Sequence, residues 1–135
     1  MENIDPAEKI ASFGTVTLRE TARGSVEYEI TARGDEAEIT LYVIRYAAGR
    51  EERAPRERAV CSAAKALSLL NDCALLSWDG FDGPHPADVL DGTMFRLEAD
   101  VNGGRRVRAE GSENFPPRYR VLVDGLCGLL REGER

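Results

Sequence analysis

The run "GTVTLRETARGSVEYEITARGDEAEITLYVIRY", Gly14–Tyr46, decides the fold class, because apolar and polar residues alternate along it in three stretches separated by turn residues. Alternation with period two marks a strand with one buried face. Val26, Tyr28 and Ile30 alternate with Glu27, Glu29 and Thr31, while Ile39, Leu41 and Val43 supply the apolar face of the next strand. Matching these faces requires a two-residue Gly34-Asp35 loop, which pairs Ile30 with Ile39, Tyr28 with Leu41 and Arg33 with Glu36. Glycine in the first position suits a type II′ turn. The preceding hairpin needs the opposite parity. A three-residue Ala22-Arg23-Gly24 loop supplies it, setting Leu18 against Tyr28, Val16 against Ile30 and Arg19 against Glu27, with Gly24 expected in the left-handed region.

Downstream of this meander, the stretch "APRERAVCSAAKALSLLNDC" that begins at Ala54 carries Val60, Ala63, Ala64, Leu67 and Leu70 at three- and four-residue steps. It predicts an amphipathic helix with Pro55 in its first turn. Another hairpin then sets Phe95, Leu97, Ala99 and Val101 against Val107 and Ala109 around an Asn102-Gly103-Gly104 loop. That register places Asp100, Glu98 and Arg96 opposite Arg106, Arg108 and Glu110. Finally, "PPRYRVLVDGLCGLL" aligns Tyr119, Leu122, Val123, Leu126 and Leu130 on one helical stripe. Gly125 and Gly128 weaken this helix by roughly 1 kcal/mol each relative to alanine, so tertiary packing must hold it. The expected fold is α+β: a mainly antiparallel five-stranded sheet in the order βββαββα, with two helices packed on one face. It should span residues 13–131 as a single domain after a flexible N-terminal segment, residues 1–12.

A chain of 135 residues fits one domain, and its net charge of −6 argues against a nucleic-acid surface built on bulk positive charge. No apolar run is long enough to cross a membrane, and the acidic N-terminus lacks the basic and apolar regions of a secretory signal, so a cytoplasmic location is expected. Cys61, Cys73 and Cys127 have no metal-binding spacing and are expected as reduced thiols.

Chemistry is concentrated in "DGFDGPHPADVLDG", Asp79–Gly92. Asp79, Asp82, His85, Asp88 and Asp91 are ligand types for a divalent cation, yet their spacing matches no metal loop, and aspartate-glycine pairs are ordinary turn formers. No cofactor is expected, and Trp78 and Phe81 should pin this loop to the core. Arg105, Arg106, Arg108, Arg118 and Arg120 form the most basic segment, but two of the five face acidic cross-strand partners. "GSENFPPRY" reads as a strand-to-helix joint, with Ser112 or Asn114 capping the helix and Phe115 stapled onto it.

The segments "VLDGTMFRLEADVNGG" and "GSENFPPRY" also resemble a group of uncharacterised bacterial proteins. These share a tryptophan-and-glycine-rich loop, a DGTMF-like strand start and a GSxNFP-like stretch before a last helix. The resemblance runs from Trp78 to about Leu130. It implies a strand-hairpin-helix second half and brings no function with it.

One feature does not fit a sheet with a single buried face. Tyr42, Ile44 and Tyr46 are apolar on the side opposite Leu41 and Val43, where a solvated strand would be polar. The Trp78 loop, the N-terminal segment or a second protein chain should cover them. The functional expectation is therefore a non-catalytic protein-interaction module, with a second copy of the chain as the simplest partner. The alternative is a small-ligand or metal-dependent enzyme domain using the Asp79–Asp91 loop. A concave pocket joining that loop's aspartates to His85 would favour the alternative.

Overall fold

The computed structural model describes residues 9–22, 24–87 and 92–133. Four strands open the chain: β1 (Phe13–Thr21), β2 (Ser25–Arg33), β3 (Glu36–Ala47) and β4 (Arg50–Ser62). Helix α1 (Ala63–Asp72) and a 3₁₀ turn (Leu75–Trp78) follow, then β5 (Asp82–Gly83), β6 (Met94–Val101), β7 (Arg105–Ser112) and helix α2 (Tyr119–Gly133). The strands form one sheet in the order β4-β3-β2-β1-β6-β7-β5, antiparallel throughout except for β5 against β7. One core cluster joins the inner side chains of the sheet to both helices, so α1 and α2 share one face.

The three hairpin registers follow the side-chain parity. Leu18 lies opposite Tyr28, Ile30 opposite Ile39 and Leu97 opposite Ala109. At the second turn Gly34 has φ +65° while Asp35 does not enter the left-handed region, as a type II′ turn requires. Gly24 is not left-handed, contrary to expectation. Of the three charge pairs across β6 and β7, only Arg96 and Glu110 close to an ion pair, at 3.9 Å.

The sheet has seven strands where five were expected, and the order βββαββα is corrected to four strands before the first helix. Residues 54–62, predicted as the start of that helix, are strand. Propensity favoured the helix, but β3 would otherwise leave a long edge unpaired, and tertiary pairing overrode local preference. The pairing matches charges: Arg58 meets Glu38, and Arg45 stands opposite Glu52. Pro55 is accommodated beside a bulge on this edge strand, where proline is tolerated. The helix begins only where Ser62 Oγ accepts from Lys65 N at 3.1 Å. The Ala48-Gly49 turn between β3 and β4 has φ +52° and +75°, the signature of type I′. An alanine at such a position costs about 1–2 kcal/mol, so the turn carried no readable signal.

Residues 9–12 of the N-terminal segment are described, and Ile10 is buried in the core. Its backbone N–H donates to Asn71 Oδ1 at 2.8 Å and its carbonyl accepts from Asn71 Nδ2.

The strip formed by Tyr42, Ile44 and Tyr46 faces away from the helices, and β4 covers much of it. Arg53 lies 4.1 Å from the Tyr42 ring centre and reaches Glu27 at 2.6 Å and Glu29 at 3.4 Å. Arg19 bridges Glu27 and Glu51, so guanidinium and carboxylate groups form a lattice over this face. Ile44 is buried outside the main core, Tyr42 is half-buried and Tyr46 stays exposed at 71%. The expected cover by the Trp78 loop is corrected: Trp78 is buried on the helix side, stacked on Tyr119.

Burial also sets an alkaline limit on the fold. It pushes the Cys73 thiol from its ordinary value near 9 up to about 12, and raises Cys61, Tyr28 and Tyr119 in the same direction. Each group stays protonated in the fold where the unfolded chain would ionise it. Stability is therefore whole below about pH 9 and falls as pH rises toward 12. Each such proton steepens the fall by up to about 1.4 kcal/mol per pH unit. Urea unfolding of wild type and Cys73→Ala between pH 7 and 11 checks this. The variant should show the shallower decline, and equal slopes would remove Cys73 from the account.

Candidate functional site

The Asp79–Asp91 loop serves first as an edge cover for β7. Asp79 Oδ1 accepts from Arg108 N at 3.0 Å, Gly80 N donates to Arg108 O, and Glu110 N donates to Phe81 O. Asp82 and Gly83 then pair with Glu110 and Gly111, so the loop tracks the strand and shields its edge. His85 Nδ1 sits 2.7 Å from Ser112 Oγ, and Asn114 Nδ2 donates to the Pro84 carbonyl at 2.5 Å. Ser112 and Asn114, expected to cap the last helix, thus hold this loop instead. Two of the first amides of α2 are served by the chain just before it: Tyr119 N donates to Pro116 O and Val121 N to Arg118 O.

Of the five candidate loop residues, Asp82 and His85 line the same open cleft of about 390 Å³, together with Arg19, Arg96 and Glu110. Asp79 is turned away to the edge of β7. Asp88 and Asp91 lie outside the described residues. Among the described residues, no three His, Cys, Asp or Glu side chains stand close enough to hold a metal ion.

A larger cleft, about 600 Å³, opens on the helix side of the sheet where β1 ends, β2 begins and α2 starts. It grows from a break in the strand pattern. Val16 and Leu18 face the core, and at the next inward position β1 carries Glu20, set between Val26 and Phe95 on the neighbouring strands. A carboxylate facing a core needs a partner. Tyr119 supplies it, its hydroxyl donating to Glu20 Oε2 at 2.5 Å.

Tyr119 is the hub of the wall behind. Its ring centre lies 4.7 Å from Phe115, 5.0 Å from Phe95 and 5.9 Å from Trp78. Val26, Pro116 and Val121 extend the apolar surface. Deeper in, the Tyr28 hydroxyl lies 3.6 Å from Cys127 Sγ. Burial, then the bond to Glu20, raises the Tyr119 hydroxyl, while burial and Cys127 raise that of Tyr28. Both phenols are neutral at physiological pH and act as hydrogen-bonding groups.

The sequence placed Tyr119 on the core stripe of the last helix and Phe115 against that helix, and both contacts exist. It did not single out Glu20. The available signal was the parity of β1, which puts that carboxylate on the same side as Val16 and Leu18. Protein-family models give no match to the chain, and none of the curated proteins compared with it matches either.

Proposed function

We propose that the protein is a non-catalytic binding domain whose site is the cleft between the β1–β2 hairpin and the start of α2, and whose ligand is a small molecule with an apolar body. The observation that carries this reading is the cleft itself. Its volume falls in the range typical of small-molecule sites, about 300–1,000 Å³, and its lining joins charged side chains to an aromatic wall. The neutral phenol of Tyr119, donating to Glu20, supports binding rather than nucleophilic chemistry. The three free thiols support a reducing, cytoplasmic setting.

A fragment library screened by amide chemical shifts tests it. Fragments should move the resonances of Ala22, Gly24, Thr93 and Tyr119–Val121. Val121→Trp, at a rim position 40% exposed, should block them without unfolding the chain. Binding that ignores Val121→Trp would displace the site from this cleft.

A second reading, contact with another protein chain through the outer face, is favoured by Tyr46, an aromatic side chain exposed beside the Arg19–Glu51 pair. A second copy related by two-fold symmetry is the simplest partner. Sedimentation should then show concentration-dependent dimerisation at micromolar protein, weakened at least tenfold in Tyr46→Glu. A wild type that stays monomeric removes the homodimer.

A further inference from the structure

We propose that the cleft selects an organic cation, a protonated primary or secondary amine attached to an apolar or aromatic group. This rests on the cleft being the binding site. Among the described residues four charged ones line it, two of each sign, so the count alone decides nothing. Their commitments do. Arg118 Nη1 donates to the carbonyl of Asp72, the last residue of α1, at 3.1 Å, and Arg120 Nη2 is paired with Asp124 Oδ1 one turn along α2 at 3.2 Å. Each guanidinium is held by one such bond toward a partner outside the cleft lining.

The carboxylates are less committed. Glu20 uses one oxygen to accept from Tyr119, and an ionised carboxylate has about four acceptor positions. Glu113 anchors its backbone N–H to the Thr93 carbonyl at 2.9 Å, while its side chain has no partner among the described residues. An entering ammonium therefore meets two acceptors with unused capacity, Glu20 and Glu113.

The aromatic wall adds to the same preference. Phe115, half-buried against the covered Tyr119 ring, is the aromatic side chain open to the cleft, and a cation over its face is favoured. The start of α2 would by itself favour an anion. Its leading amides are already donating to Pro116 and Arg118, and the Glu20 carboxylate sits against the same end, so little of that preference is left for a ligand. The net charge of −6 draws cations toward the surface as a whole.

Three probes that share a phenyl group and differ in charge separate the possibilities: phenethylamine, 2-phenylethanol and phenylacetate, titrated against the full chain with amide shifts as the readout. Phenethylamine should bind at least tenfold more tightly than the other two, moving Ala22, Gly24, Thr93 and Tyr119–Val121, and should weaken as salt is raised. Glu113→Gln should cost it at least threefold, with the spectrum of the free protein otherwise preserved because glutamine keeps the side-chain shape that packs against Gly92. Glu20→Gln should cost more, and Glu113→Gln keeps the test decisive if Glu20→Gln loosens Tyr119. Equal or tighter binding of the alcohol or the acid at the same resonances overturns the cation preference and leaves the site standing. If none of the three moves these resonances, both the site and its preference fall.

Discussion

Gly111→Ala is expected to destabilise the fold by about 3 kcal/mol, lowering the melting temperature by roughly 10 °C. The reason is close approach on the inner face of β7. A Cβ at Gly111 would run into the carbonyl of Asn114 and would lie 2.8 Å from Cε1 of Phe95. The first obstacle is backbone, which cannot swing aside as a side-chain end can. Gly83, paired with Gly111 across β5 and β7, meets Asn114 from the other side, so one turn of chain is seated in a groove made by two glycines. That turn also carries Phe115, which makes the loss of stability a loss of the cleft wall as well. Gly128→Ala is the control of opposite sign: nothing lies within 4 Å of its added Cβ, and removing a helical glycine should add up to about 1 kcal/mol. Urea unfolding of both variants decides the matter. A Gly111→Ala protein as stable as wild type would mean that the Asn114 turn is not seated as described.

Trp78→Ala should cost more, about 3–5 kcal/mol. Trp78 is fully buried at the end of the 3₁₀ turn, stacked on Tyr119, and its removal leaves a void between the β7 edge cover and the start of α2. Against a total stability of roughly 5–15 kcal/mol, the variant would be marginal at 37 °C. Trp78→Phe should cost far less, below about 2 kcal/mol. The indole Nε1 has no hydrogen-bond partner among the described residues, and phenylalanine removes that unpaired donor along with the extra ring. Circular dichroism melts of the two variants read the difference. A Phe variant as damaged as the Ala variant would show that shape alone matters at this position.

The two stretches of sequence that were read most securely are those in which side-chain parity acts alone. In β1, β2 and β3, and again in β6 and β7, a shift of one residue would turn every apolar side chain to water, so the alternation by itself specified which residue faces which. The stripe on α2 was legible for the same kind of reason, since its period matches the helix. Glu20 was legible in principle, as the one carboxylate on the inward side of β1. Its meaning was not, because nothing local announces that Tyr119, a hundred residues away in approximate terms, will lie over it.

What only the tertiary structure decided lies where local preference and global need disagree. Residues 54–62 read as the start of a helix, and became a strand because β3 offered an open edge with complementary charges; the edge is a property of the sheet and is written nowhere in the segment itself. The same holds for the outer face of Tyr42 and Ile44, where β4 brings Arg53 over the Tyr42 ring. The Asp79–Asp91 loop carries ligand-type residues that the sequence could only count. Their use at the β7 edge follows from the unpaired N–H and C=O groups there, a demand created by the assembled sheet. Sequence by itself thus determined the face of each strand it recognised and the class of the fold, because those depend on short-range periodicity. Strand number, the covering of the outer face and the cleft at Glu20 and Tyr119 depend on which distant segments meet, and that is settled only when the whole sheet is formed.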